Sequence, residues 1–535
     1  MLNNKIKLFF AASFSAMLVT VTSCSKIDDF GNLNTNPNGS QQPYTAGLLS
    51  NVLSNMGNNY VWDQGGISTV SGLYCQYFSE TQYTEASRYA KPTFNWDGYY
   101  AGPLKDLQTI IDYNSDPNTA LTAATTGPNE NQIAIARILK AYIFWFLTSS
   151  WGDVPYKGIF NINDNGIVAY TSQQEIYDSL FAELDAAVNQ FIVPGKDDQV
   201  VQGDILFNPS SAAAQIQLWQ KFANSARALM ALNLNKVNAT LGAQQFNAAL
   251  NAPGGVFQEG ENATLVYPDD NYPNPFYNYY NIVQRDDYAV SDVIVEALAP
   301  AAYGFTIDDR LFAYSNNVSS STLGVAGFPY GLERGAAVAF ANQGVTWGRI
   351  MGTTTVFLKD GTNFRDVTSP VTILGSAEVY LARAEAAYLG WIDQGTFGTV
   401  EDNYYTGIAE SWKQWDVYGG ELVDAFAPYY PDGIENGEDY FYYISLPEIA
   451  LDGSSDDYAK IAKQEWIVQY PAGWKGWITW RRTGYPQLSP APGTNKIPLR
   501  YPYGPNEYNL NSANASAAAG NYDGDSQFSP LWWDK

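Results

Sequence analysis

Residues Ile461–Pro486 read IAKQEWIVQYPAGWKGWITWRRTGYP, with Trp466, Trp474, Trp477 and Trp480 followed at once by Arg481 and Arg482. Indole rings carry so much apolar area that a cluster this dense has to be covered by the rest of the chain. Tyr458, Ile461, Ala462, Glu465, Trp466 and Gln469 recur at spacings of three and four, the pattern of one helix face. Pro471 and Gly473 then interrupt the backbone. Trp474, Trp477 and Trp480 lie three apart, which places them on one side of a second short helix. The segment is expected to be two helices folded into a core, with arginines stacked over ring faces. An exposed ligand site is the competing reading.

The other end of the chain carries an address. Lys5 and Lys7 precede an apolar run from Leu8 to Val19, and Val21-Thr22-Ser23-Cys24 follow. Basic, apolar and small-residue segments in that order read as a secretory signal over residues 1–23. The apolar run is too short for a spanning helix. A cysteine at the cut matches the lipobox of bacterial lipoproteins, which makes Cys24 the expected acylated first residue; several chains on one residue hold a protein at a membrane. Residues 24–43, rich in Asn, Gly and Pro, read as a lipidated tether. With Cys24 lipidated, Cys75 has no disulfide partner and is expected as a small buried apolar residue.

Charge and residue types narrow the function. Fifty-four acidic residues stand against 29 basic ones, for a formal charge of −25. That argues against nucleic acid and against adhesion to anionic lipid. There is no histidine, which removes histidine metal sites, Ser-His-Asp triads and Cys-His pairs. Carboxylate-pair hydrolysis needs only Asp or Glu and stays open. The 39 tyrosines outnumber the 26 phenylalanines, and a ring with a polar edge suits a wet binding surface. No phosphate-binding Gly-Lys motif, dinucleotide fingerprint or nucleophile elbow is present. Asn161, Asn163, Asn165 and Gly166 echo an EF-hand loop, but the acidic first ligand is missing and Ser172 stands where a glutamate belongs. Asp523-Gly524-Asp525 is short and unaccompanied. No cofactor is implied, and a structural calcium ion in an oxygen-rich loop has no site that can be named.

Helical periodicity dominates both halves. Leu48–Met56 and Ile67–Phe78 are expected helices. In Gln132–Thr148, residues Ile135, Ile138, Leu139, Tyr142 and Phe146 form one apolar face, and Gly152 and Pro155 stop the helix. Ser172 and Glu175 form a capping box before Ile176, Leu180, Leu184 and Val188. Three more faces follow: Ile216, Trp219, Phe222, Ala223, Ala226 and Met230; Leu374, Ala377, Leu381, Ala384 and Tyr388; and Tyr405, Ile408, Ala409, Trp412 and Trp415. Glu378, Arg383 and Glu385 read as surface or groove ion pairs, with no second carboxylate placed opposite them. The chain is thus mostly α. Residues 44–535 read as one domain, with a helical scaffold at about 44–237 and 372–470. An irregular region at about 240–370 and an irregular C-terminal segment at 487–535 complete it, and irregular stretches on a rigid scaffold are where binding groups tend to sit.

Several strings together resemble one family. Gln464-Glu465-Trp466-Ile467, Trp474 to Trp477, Arg481-Arg482-Thr483-Gly484-Tyr485-Pro486, Trp151-Gly152-Asp153-Val154-Pro155-Tyr156, Gln220–Ser225 and Trp532-Trp533-Asp534 look like the SusD/RagB-like outer-membrane lipoproteins of Bacteroidetes. Such matches run from residue 21 to 534, and Asp28 and Asp29 resemble the signal for export to the cell surface. The resemblance implies a SusD-like fold: four degenerate tetratricopeptide-like helix pairs as scaffold, plus a large loop-rich region with short strands. It implies a non-enzymatic protein, lipid-anchored in the outer membrane and facing the cell surface. Such a protein captures oligosaccharides and delivers them to a TonB-dependent SusC-like β-barrel transporter. Capture of oligopeptides is the alternative ligand class, and a carboxylate-dependent glycoside hydrolase the alternative function class.

The resemblance puts the ligand face on early helices and the irregular middle, and local chemistry selects residues within it. Trp62 and Gln64 sit in a Gly-flanked polar turn. Gln82, Tyr83 and Arg88 fall in a polar run after a helix. Tyr277, Tyr279 and Tyr280 lie among Asn and Pro, and Trp347 between Gly344 and Gly348. Together they are expected to form an aromatic platform, on which the C–H faces of sugars pack while hydroxyls bond to amides.

Overall fold

The computed structural model describes residues 42–160, 167–192, 199–269, 271–300, 308–315, 326–343, 347–356, 358–419 and 439–535. The signal, Cys24, most of the tether and the Asn161–Gly166 string lie outside them. Thr45–Lys535 forms one compact unit. Its helices are α1 (Thr45–Ser54), α2 (Met56–Tyr60), α3 (Ile67–Tyr74), α4 (Lys105–Ser115), α5 (Asn129–Trp151), α6 (Gln173–Gln190), α7 (Ala212–Leu232), α8 (Asn235–Asn251), α9 (Arg334–Ala341), α10 (Ser376–Tyr388), α11 (Val400–Gln414), α12 (Asp457–Val468) and α13 (Gly473–Thr483). Shorter helical turns connect them. Four sequential pairs, α5/α6, α7/α8, α10/α11 and α12/α13, pack side by side as the scaffold.

Local chemistry accounts for the helix ends. Gly152 ends α5 at φ +91°, where a Cβ would sit 2.2 Å from the Tyr522 hydroxyl. The Ser211 side chain accepts from Ala214 N at the start of α7. At Ser172 only half of the expected capping box forms: its hydroxyl accepts from Glu175 N, but the Glu175 carboxylate turns to Lys157, 2.5 Å away. The complete box is at α11, where Thr399 and Asp402 exchange side chain-to-backbone bonds of 3.0 and 3.1 Å. The helix expected over Ile67–Phe78 stops at Tyr74, because Phe78–Glu80 pairs with a strand two hundred residues away.

Six two-to-five-residue strands make three antiparallel pairs among the described residues. β1 (Phe78–Glu80) pairs with β5 (Tyr288–Val290) in the register Ser79↔Ala289. β2 (Val154–Pro155) pairs with β3 (Tyr170–Thr171), and β4 (Asn262–Leu265) with β6 (Val371–Gly375), which runs straight into α10. The irregular middle begins later than expected, since α8 occupies Asn235–Asn251. The C-terminal segment is not peripheral: Tyr501, Leu531 and Trp533 are buried in the core.

The tryptophan segment sits where the core is densest. Trp466, Trp474 and Trp477 are buried, while Trp480 lies at the core's edge. Trp474 meets Trp145, Phe146 and Tyr142 edge-on at 5.0, 5.3 and 5.8 Å. The Arg481 guanidinium lies 3.8 Å from the Trp477 ring and 4.9 Å from that of Trp533. Gly473 lets α13 rest on α3, since a Cβ there would stand 2.2 Å from Gly72 N. Cys75 is buried beside this contact.

Three expected ion-pairing residues are placed differently. Glu378 and Glu385 are buried, not on a surface or groove. Glu378 takes both oxygens to Lys475 at 2.8 Å. Glu385 faces a second carboxylate after all: it shares Arg482 with Glu465, the latter at 2.6 Å. Arg383 caps the Tyr380 ring at 4.7 Å. α10 packs against α12, and Lys475 and Arg482 reach it from α13, so its acids meet cations that sequence distance hides.

Candidate functional site

β1, β5 and the chain at Gly348–Ile350 build a small sheet edge from which one face projects. Val290 N donates to Gly348 O, and Ala289 bridges Arg349. Beyond β1 the chain forms a loop, Thr81–Ala90. Thr81 bonds Asp286 O and Asp287 O, and the Glu80 carboxylate accepts from Ser87 N and Ser87 Oγ, each at 2.8 Å. Burial pushes the Glu80 carboxyl up to about 7, against the pull of the Ser87 bonds. This clamp holds out Gln82 and Tyr83, both exposed.

The Tyr83 ring stands between two guanidiniums, Arg334 at 5.2 Å and Arg285 at 5.8 Å. Arg285 is tied to Asp287, and Arg349 to Asp286. Arg88 donates to Gly331 O and Pro492 O and pairs with Glu333. Thr84, Glu85, Arg88, Glu333 and Arg334 border a shallow cavity of about 430 Å³. Arg334 opens α9, whose Ala337 and Phe340 pack with Phe328; Trp347 lies edge-on to Phe328 at 5.6 Å, half-buried. Gln82, Tyr83, Arg88 and Trp347 therefore surround one sheet edge and helix α9.

The other expected residues divide. Trp62 is 2 % exposed and is not a platform. It is enclosed by Phe276, Phe78, Tyr279 and Tyr288 at 5.3 to 5.6 Å. Tyr279 is 1 % exposed, and its hydroxyl accepts from Asp287 N. Both belong to the core beneath the face. Tyr280 is half-buried: its hydroxyl accepts from Ile350 N, and Arg365 covers its ring at 3.7 Å. Tyr277 is half-buried, and Gln64 is exposed on the turn after Trp62.

Asp286, Asp287 and Glu333 on this face pair with Arg349, Arg285 and Arg88, and Glu80 is bonded to Ser87. Among the described residues no group of three Asp, Glu or Cys side chains could hold a metal ion. Asp525, from the Asp523–Asp525 string, is taken up by Arg500, Tyr503 N and Tyr508.

Sequence reading missed a second concave surface. A groove of about 640 Å³ runs between α1–α2 and residues Leu265–Pro268 and Asn271–Pro273. Its signal was present as Ser50, Asn51, Ser54, Asn55 and Asn58, a polar face at helical spacing.

The structure is thus a helical-repeat scaffold that carries a loop-built face. A family model described as "Starch-binding associating with outer membrane" matches residues 37–504. The chain belongs to this SusD-like family. Solved structures share its fold. A chitin-binding protein is 24 % identical with a TM-score of 0.70, covering 92 % of this chain and 99 % of its own. A SusD homologue from Bacteroides uniformis ATCC 8492 is 21 % identical with a TM-score of 0.70, covering 92 % and 100 %. A chitin-binding SusD homologue from Flavobacterium johnsoniae is 22 % identical with a TM-score of 0.66, covering 91 % and 98 %. No curated protein matches the chain.

Proposed function

We propose that this chain captures oligosaccharides at the cell surface and hands them to a TonB-dependent, SusC-like barrel, with Cys24 as its lipid anchor. The carrying observation is Tyr83, 40 % exposed and held out by the Glu80–Ser87 clamp beside Gln82, Arg88 and Trp347. An exposed aromatic ring beside fixed donors suits a sugar's C–H face and its hydroxyls. Family membership and the chitin-binding names of two relatives support a glycan as ligand. One observation favours a peptide: Arg334 has no carboxylate partner among the described residues and could take a C-terminal carboxylate.

Calorimetric titration of the soluble chain with maltoheptaose, chitohexaose and a mixed oligopeptide pool separates these readings. Tyr83→Ala is expected to weaken sugar binding roughly fivefold to tenfold and leave the thermal midpoint in place. Binding of peptide alone, or wild-type sugar affinity in Tyr83→Ala, would sink glycan capture at this face. Anchor and partner are tested in mild detergent extracts of the host. The wild-type chain should label with palmitate and bring down a large β-barrel protein, and Cys24→Ala should lose the label. Recovery of the lipoprotein alone counts against the barrel.

A further inference from the structure

We infer that the groove between α1–α2 and the chain following β4 is a second saccharide subsite, selective for uncharged glycans. This rests on the glycan reading above and adds a site built from different elements.

The first support is charge. Among the described residues no side chain lining the groove is ionisable at neutral pH, and the titratable groups at its margin are acids, Asp106 bonded to Asn51 and Asp269 bonded to Asn271 N. The cavity beside Tyr83 is the opposite, bordered by Glu85, Arg88, Glu333 and Arg334. Desolvating an anion costs free energy that this lining does not return, and the acids at its margin repel it, so the groove rejects acidic sugars while accepting neutral rings.

The second support is the division of the lining. One wall carries amides and hydroxyls: Asn51, Ser54, Asn55 and Asn58 fall on one face of α1–α2. Asn51 is oriented by its bond to Asp106, and Asn55 by its bond to Asn51 O. The Asn58 amide makes no hydrogen bond among the described residues and is exposed. The facing wall is apolar except for Asn271. Tyr272 is 65 % exposed and Val266 63 %, with Ile205 beside them at 40 %. Three large apolar side chains left in water around one concavity call for an occupant. A pyranose has the matching character, with C–H faces for Tyr272 and Val266 and hydroxyls for the amides. A volume of about 640 Å³ lies within the usual range of ligand sites.

The third support is rigidity. Asp269 accepts from Asn271 N, and its carbonyl accepts from Tyr272 N. Asn274 then bonds Ser369 O while its side-chain oxygen accepts from Phe276 N and Tyr277 N. On the other wall Ser50 donates to Gly203 O. Walls fixed before binding lose little entropy on closing around a sugar.

The test titrates maltoheptaose, chitohexaose, an oligogalacturonate and a charged oligopeptide into the soluble chain and into Tyr272→Ala, Tyr272→Ala/Asn58→Ala, Tyr83→Ala and Tyr83→Ala/Tyr272→Ala. Tyr272 and Asn58 are exposed, so thermal midpoints should match wild type and certify folding. Tyr272→Ala should weaken binding about fivefold to tenfold. Tyr83→Ala should keep a residual binding event that adding Tyr272→Ala removes. Wild-type affinity in Tyr272→Ala/Asn58→Ala, with all binding lost in Tyr83→Ala, overturns the groove and leaves glycan capture standing. Failure of the wild-type chain to bind either neutral sugar overturns both, and a groove-dependent preference for the oligogalacturonate or the charged peptide overturns the assignment to neutral glycans.

Discussion

Arg482→Ala is expected to destabilise the protein by about 3–5 kcal/mol, enough to threaten folding at physiological temperature. Arg482 is buried and bridges two buried carboxylates, Glu385 and Glu465. Tyr458 donates to Glu385 at 3.1 Å, a bond too weak to replace a cation. Burial holds the Glu465 carboxyl well above the usual range, and the charge of Glu385 adds to this while Arg482 opposes it. Removing the arginine takes away the opposing influence, so the folded carboxyl rises further. A raised folded pKa means stability that is present in acid and lost as pH climbs past the ordinary glutamate value. In wild type that loss is complete once pH passes the carboxyl's own raised value, so the deficit of Arg482→Ala should grow with pH above that value, where only the variant is still losing stability. Arg482→Lys should recover little, because an ammonium cannot fork to two carboxylates. Arg482→Met combined with Glu385→Leu and Glu465→Leu should restore most of the loss. Denaturant unfolding across pH checks each outcome. A deficit under 1 kcal/mol, flat with pH, would show that the three groups do not act as one buried network.

Trp474→Ala is the second large effect, expected at about 3–5 kcal/mol. Trp474 joins the α13 end of the chain to α5 through its edge contacts with Trp145 and Phe146. It joins the early helices by donating to Tyr60 O at 2.9 Å. Alanine would leave a cavity that three helices border and cannot close by a local shift. Trp474→Phe keeps most of the ring packing and loses the donor, so it should cost about 1–2 kcal/mol. Equal losses in the two variants would mean that the hydrogen bond, and not the volume, carries the effect. The comparison is read from urea midpoints with unchanged slopes.

How much of this was legible depends on the range of the physics involved. α5, α7 and α10 were visible because a 3.6-residue apolar period is local, and the helix–break–helix of the tryptophan segment because Pro471 and Gly473 act on their own backbone. Family membership was legible because its short strings are spread over the length of the chain. The candidate site was only half legible. Gln82, Tyr83, Arg88 and Trp347 do meet around one edge, yet nothing local said that Arg285 and Arg334 would close on Tyr83.

Trp62 shows where the local argument fails. A polar, Gly-flanked turn suggested an exposed ring, but Phe276, Tyr279 and Tyr288 fold over it from two hundred residues away. The same holds for Glu385, whose partners Glu465 and Arg482 lie on α12 and α13. By itself the sequence determined which segments are helical, which rings need burial, and which chemistries the missing histidine removes. Only the tertiary structure decided which rings reach solvent and which acids share a cation. Burial and ion pairing depend on what the distant chain places overhead, and local spacing carries no information about that.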